Sequence, residues 1–196
     1  YLEGADTHVL EALCRTNDLQ TPGYGEDDLC DQARVMIAEQ CRCPGAGVHF
    51  FVGGTQVNLT VIAAALRPFE GVLCADTGHI NVHETGAIEA TGHKVLALPG
   101  HEGKLTAAQV RAAWESHCAD GTHEHMVRPA MVYISHPTEL GTLYTREELS
   151  ALREATLACG MTLYLDGARL SYGLAADPQV DLPFLAAHCD AFTLGG

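Results

Sequence analysis

The sequence predicts an α/β domain of three layers, with helices on both faces of a mostly parallel central sheet. Three observations predict it. Short apolar runs alternate with amphipathic helical patterns along nearly the whole chain. The runs are continuous rather than alternating with polar residues, as strands covered on both faces require. Two capping boxes, Thr106-Ala-Ala-Gln109 and Thr145-Arg-Glu-Glu148, mark helix starts between them.

In order, the elements read as follows. Residues 7–16 form a helix with Val9, Leu10, Leu13 and Cys14 on one face. Residues 27–42 form a second, with Leu29, Ala33, Met36 and Gln40 at helical spacing. Thr21-Pro-Gly-Tyr-Gly25 is a turn-rich loop between them. Val48–Val52 is a strand that runs into Gly53-Gly54 and then a helix from Thr55 to about Leu66. Strands follow at Val72–Ala75, Lys94–Leu98, Met131–Ile134, Met161–Leu165 and Ala191–Leu194. Helices are expected over 79–90 and after each capping box, with a polar loop at Ala119–Pro129. In a parallel sheet of this kind, ligands bind at the carboxyl ends of the strands.

The bulk properties exclude several classes. The chain has 196 residues, 47 % of them hydrophobic, enough for one substantial core. Its formal net charge of −14 repels nucleic acid and anionic membranes, so any bound anion must be held by local groups. No apolar run reaches the ~18 residues of a spanning helix. The opening Tyr1–Asp6 lacks the basic and apolar regions of a secretion signal, which predicts a cytoplasmic protein. The eight cysteines lie mostly among apolar residues and are expected to be reduced core thiols. Cys41-Arg-Cys43 has the wrong spacing for zinc.

Three motifs stand at strand ends. In Val52-Gly-Gly-Thr-Gln-Val-Asn58, glycines and a helix N-terminus could hold one phosphate, although an ordinary strand–helix turn has the same composition. In Leu165-Asp-Gly-Ala-Arg169, the aspartate could face a protonated ring nitrogen and the arginine a substrate carboxylate. Two unit charges 4 Å apart are worth ~4 kcal/mol at an effective dielectric of 20, roughly three pKa units. The alternative is a capping aspartate and a surface arginine. In Asp76–Glu84, His79 and His83 share a helix face. The order differs from H-E-x-x-H, so no metal is expected; His79 could instead stack on a flat ring, or both could be structural. His123-Glu-His125 reads as solvated loop histidines.

Taken together, Tyr24-Gly-Glu-Asp27, Gly54-Thr-Gln-Val-Asn58, Asp76-Thr-Gly-His-Ile80, Glu84-Thr-Gly-Ala87, Pro137-Thr-Glu-Leu-Gly141 and Asp166-Gly-Ala-Arg169 resemble the threonine aldolase/beta-eliminating lyase family. Their order and spacing carry the resemblance over essentially the whole chain. It implies the large domain of the fold type I, pyridoxal 5'-phosphate-dependent transferases. It further implies that Gly54, Thr55 and Gln56 hold the cofactor phosphate, and that His79 stacks on the pyridine ring and helps move a substrate proton. Asp166 would pair with the ring nitrogen and Arg169 with the amino-acid carboxylate. Tyr24 would contribute to substrate binding from a loop that, in such enzymes, approaches a neighbouring subunit's site. Glu84 is expected to orient local backbone, while His136 and Glu139 border the pocket. The implied partners are a small amino acid and further copies of the chain, as a homodimer or homotetramer.

The implied reaction is cleavage of L-threonine or L-allo-threonine to glycine and acetaldehyde. Other readings are β-elimination on the same cofactor, a non-catalytic remnant, or a metal-dependent hydrolase using His79 and His83. One departure from the family matters most. Lys94 opens a strand and Lys104 lies in a turn, and neither fits the family's cofactor-linking lysine motif. Similar sequences continue past Leu194-Gly-Gly196 into Thr-Lys. Residues 1–196 are therefore expected to be a partial cofactor-binding large domain, without that lysine or the small C-terminal domain, and inactive alone.

Overall fold

The computed structural model describes residues 4–195. Of the segment read for a secretion signal, Tyr1–Glu3 lie outside them, as does Gly196 of the closing glycine pair. Helices α1 (Thr7–Thr16), α2 (Asp28–Gln40) and α3 (Gly54–Ala65) precede strand β1 (Glu70–Ala75). Two short helices, α4 (His79–Val82) and α5 (Ala87–Ala90), lead to β2 (Lys94–Leu98). Helix α6 (Ala107–Ala119) leads to β3 (Arg128–Ser135), and α7 (Arg146–Cys159) to β4 (Thr162–Asp166). The last described elements are α8 (Leu170–Ala176), α9 (Leu182–His188) and β5 (Ala191–Phe192).

The five strands among the described residues are all parallel, in the order β2-β1-β3-β4-β5. Side chains alternate across the sheet with a period of two, and each face buries its own core. Leu73, Val132, Ile134, Leu163 and Leu165 join Val110 of α6, Leu149 and Leu152 of α7, and Leu185 of α9. On the other face Val72, Cys74, Met131, Tyr133 and Tyr164 join Ile62 of α3, Ile80 of α4 and Ile88 of α5. The three-layer α/β architecture follows, with helices covering both faces.

Both capping boxes form as the sequence predicts: Thr106 and Gln109 open α6, and Thr145 and Glu148 open α7. Elsewhere the local structure corrects the sequence reading. The helix expected over 79–90 is split into α4 and α5. Thr85 and Gly86 both take positive φ, 51° and 76°, which no continuous right-handed helix tolerates. Val48–Val52 pairs with no strand among the described residues, and Phe50, Phe51 and Val52 are exposed. Without a neighbouring strand its backbone has no ladder to join. The polar stretch 119–129 contains a short 3₁₀ turn at His123–His125, and β3 already begins at Arg128. The apolar face of α1 carries Val9, Leu10 and Leu13, all exposed in this chain. All eight cysteines are free; Cys41, Cys74 and Cys159 are buried, whereas Cys14 and Cys118 are exposed rather than in the core.

The segment after β3 is pinned from below. His136 is fully buried, and its Nδ1 accepts the backbone N–H of Tyr144 at 3.3 Å. The Tyr144 hydroxyl in turn accepts the N–H of Leu105 at 2.8 Å. Burial pushes the His136 imidazole down to about 4, so the folded protein holds it neutral.

Two stability outcomes follow. Leu163 is fully buried, and Leu163→Ala should cost about 2–5 kcal/mol. Leu157→Ala, on the exposed side of α7, should change stability by no more than about 0.5 kcal/mol. Urea midpoints separate the two. For His136, the unfolded state binds the extra proton between its ordinary 6.5 and about 4. Stability is therefore complete above about pH 6.5 and falls as pH drops towards 4, by up to about 3 kcal/mol. The loss in urea unfolding between pH 7 and pH 4 should be smaller by that amount in His136→Phe; equal losses would contradict the assignment.

Candidate active site

The strand alternation that builds the α3-side core also brings polar groups to its carboxyl end. Tyr133 and Ser135 share that face on β3, and Tyr164 and Asp166 share it on β4. Parallel pairing sets Ser135 beside Asp166. Beyond these ends lies a cavity of about 410 Å³, lined by Gly54, Asn58, His79, Glu139, Asp166 and Arg169 among others. That volume lies within the ~300–1,000 Å³ typical of small-molecule sites.

Asp166 is 7 % exposed and accepts three hydrogen bonds. Tyr133 Oη donates to its Oδ2 at 2.6 Å, and Asn58 Nδ2 donates to the same oxygen at 3.0 Å. Its Oδ1 accepts the backbone N–H of Ala168 at 2.9 Å. Burial, reinforced by the negative charge of Asp166, pushes the Tyr133 phenol far up, so it remains a donor.

Asn58 joins this carboxylate to a second one. Its Nδ2 also donates to Glu84 Oε1 at 2.6 Å, and its Oδ1 accepts the Tyr164 hydroxyl at 2.6 Å. Glu84 Oε1 further meets His79 Nδ1 at 2.7 Å. The Glu84 side chain is fully buried, whereas that of His79 is 40 % exposed. Glu84, expected from the sequence to orient local backbone, thus holds two side chains, the imidazole among them. A carboxylate oxygen that already accepts from Asn58 holds the ring by accepting Nδ1–H. The ring's other nitrogen, Nε2, is left as the proton acceptor. Glu139 Oε1 accepts Ser135 Oγ at 2.5 Å and the backbone N–H of His79 at 3.0 Å, fixing the start of α4.

Helix α3 is open at its start. Asp27, Thr106, Thr145 and Asp181 cap α2, α6, α7 and α9, but the N-cap of α3 is Gly53, with no side-chain cap. A Cβ at Gly53 or Gly54 would meet open space. The opposite wall is closed by a tight crossing. A Cβ on Gly195 would come within 2.6 Å of the Ala168 carbonyl, and one on Gly167 would overlap the Thr193 carbonyl. Only glycines let the loops after β4 and β5 meet through the Gly195 N–H and Gly167 carbonyl at 3.0 Å. That contact sets Asp166 and Arg169 on the rim.

Gly54, His79, Asp166 and Arg169 therefore converge on one cavity. Thr55 and Gln56 are exposed on the first turn of α3 and do not line it. Tyr24 is fully exposed and also stands apart from it. His136 lies buried behind the wall, whereas Glu139 lines it. Neither Lys94 nor Lys104 is in the lining; Lys104 pairs with Glu148 at 2.8 Å. The rings of His79 and His83 are 5.1 Å apart. Among the described residues no group of three or more His, Cys, Asp or Glu is placed to hold a metal ion. Sequence reasoning assigned no role to Asn58, Tyr133, Ser135 or Tyr164. Strand alternation from Asp166 and Ser135 could have found the tyrosines, and a lone Asn in an apolar helix could have flagged Asn58.

The residues fit a phosphorylated aromatic cofactor with a basic ring nitrogen. The uncapped α3 start offers free N–H groups to an anion, beside glycines that leave room for it. Asp166 is a buried acceptor aimed at the same space, and the half-exposed His79 ring borders it.

The model of the beta-eliminating lyase family matches residues 10–196. A low specificity L-threonine aldolase of Pseudomonas aeruginosa is 30 % identical over 170 residues, covering 84 % of this chain and 46 % of that protein. The structure of Leishmania major threonine aldolase is 43 % identical with a TM-score of 0.93, over 99 % of this chain and 56 % of that one. Thermus thermophilus aspartate aminotransferase, 20 % identical with a TM-score of 0.59 over 81 % of this chain and 41 % of that one, shares the fold alone. The chain spans about half the length of these relatives. With its all-parallel sheet, its polar strand ends and this match over nearly its full length, the chain belongs to the beta-eliminating lyase family.

Proposed function

We propose that this chain is part of the large, cofactor-binding domain of a pyridoxal 5'-phosphate-dependent aldehyde-lyase that cleaves L-threonine or L-allo-threonine to glycine and acetaldehyde. The observation that carries the reading is convergence. His79, from the start of α4, meets Asp166 and Arg169, from the end of β4 and the turn after it, in one cavity beside the open end of α3. The threonine aldolases among its relatives supply the substrate class.

When bound, pyridoxal 5'-phosphate supplies an electron sink for the electrons released at the substrate α-carbon. The chain's own residues do the rest. The N–H groups at the start of α3, beside Gly54 and with Thr55 and Gln56 in the same turn, would hold its phosphate. Asp166 would hold the ring nitrogen in its protonated form, and its three protein donors keep the carboxylate in place. Arg169 binds the substrate carboxylate and so fixes which bond at the α-carbon breaks. His79, which lines the same cavity, would border the ring. With Nδ1 on Glu84, its Nε2 takes the β-hydroxyl proton as the aldehyde departs.

The exposed apolar residues of α1, together with Phe51 and Val52, support assembly as a homodimer or homotetramer, in which Tyr24 would serve another copy's cavity. No described helix is long and apolar enough to cross a membrane. We propose a cytoplasmic location, a reading supported by its eight free cysteines. The family's name favours a second reading, β-elimination on the same cofactor. That reaction yields pyruvate and ammonia in place of glycine and acetaldehyde.

The chain should bind the free cofactor, read by fluorescence, and Asp166→Ala should weaken binding by about tenfold or more, since a desolvated charge contact is worth at least ~1.4 kcal/mol. Equal binding by both would remove Asp166 from the cofactor. Because no lysine lines the cavity, the 196 residues alone should release no acetaldehyde from threonine. In a longer form that cleaves threonine, Arg169→Lys should raise KM more than it lowers kcat, through loss of the bidentate contact. Product analysis distinguishes acetaldehyde from pyruvate.

A further inference from the structure

We propose that Asn58, oriented by Tyr164, is a positioning residue that fixes the proton on Nδ1 of His79 by holding Glu84 as an acceptor, and that it ties this pair to Asp166. The carboxamide has one acceptor and two donor hydrogens. Its Oδ1 takes the Tyr164 hydroxyl at 2.6 Å, which leaves both hydrogens to face the two buried carboxylates. Burial, with Asp166 and Glu84 nearby, keeps the Tyr164 phenol protonated, so its hydroxyl has a hydrogen to give to the amide oxygen that faces it. A reversed carboxamide would set its oxygen against two carboxylates and leave the Tyr164 O–H without its acceptor. One orientation therefore satisfies all partners.

The consequence reaches the cavity through Glu84. Its Oε1 is shared between Asn58 and His79, and its Oε2 is buried with no hydrogen-bond partner among the described residues. Asn58 thus supplies one of the two side-chain hydrogen bonds that hold this carboxylate. Without it, the negative charge of Glu84 would be compensated chiefly by the imidazole. With one of its two hydrogen bonds gone, Glu84 would no longer keep a fixed orientation, and the ring proton would no longer be confined to Nδ1. The other charged or titratable groups facing His79 are His83, 5.1 Å away between ring centroids, Glu139 at its backbone N–H, and Asp166 and Arg169 across the cavity. These are common to the native chain and its Asn58 variants, so a change between the two reports the amide.

The inference rests on the proposed function only for the use made of His79; proton placement is read without cofactor or substrate. The test is long-range ¹H–¹⁵N NMR of the His79 imidazole in the 196-residue chain across pH. The unsubstituted chain should show a single Nδ1–H tautomer at high pH. In Asn58→Leu, which keeps the branched shape and removes both donors, the His79 signals should split between the two neutral tautomers. Glu84→Gln should abolish the single tautomer. Should Asn58→Leu not fold, Tyr164→Phe decides: it frees the carboxamide, so the His79 signal should split between tautomers. An unchanged His79 spectrum in a folded Asn58→Leu or, failing that, a folded Tyr164→Phe overturns the proposal. If the splitting appears but the longer protein does not cleave threonine, the proposal stands and the catalytic reading falls.

Discussion

The site is organised around one shared amide. Glu84 and Asp166 are both buried carboxylates, and bringing two such groups together away from water is costly unless donors meet them. Asn58 meets both with one nitrogen. It sits on α3, Asp166 ends β4, and Glu84 follows α4, so the contact also fixes three elements against each other. The open start of α3 is thereby held over the carboxyl ends of the strands, where Gly54, His79 and Asp166 face one cavity.

The two faces of the sheet divide the work. The face covered by α6, α7 and α9 is apolar from end to end and carries stability. The face covered by α3, α4 and α5 is apolar only at its base. Towards the carboxyl ends its inward positions are Tyr133, Ser135, Tyr164 and Asp166, every one of them hydrogen-bonded. Polar groups are tolerable there because each meets a partner on the facing helix, a strand or the loop that follows one. A network with so few spare partners also holds its members in single orientations, which a site that moves protons requires.

Much of the fold was legible in the chain because its signals are local. The capping boxes at Thr106 and Thr145 depend on residues three apart, and both helices start where those pairs stand. The apolar runs around Val72, Val95, Val132 and Leu163 all became strands of one parallel sheet. The break at Thr85-Gly86 was less legible, since its positive φ angles are set by Glu84 turning inward to His79 and Asn58. Val48–Val52 has the composition of a strand, but strand formation needs a neighbour, and among the described residues none lies beside it.

The sequence by itself determined the α/β class, the helix starts, and the motif residues that resemble one family, because those depend on spacing within a few residues. The tertiary structure decided which of them meet. Asn58 reaches Glu84 across 26 residues and Asp166 across 108, and Tyr133 reaches Asp166 across 33. No local pattern encodes such pairings. They exist because parallel strand order brings distant strand ends to one edge of the sheet, and because burial there leaves each polar group only those partners.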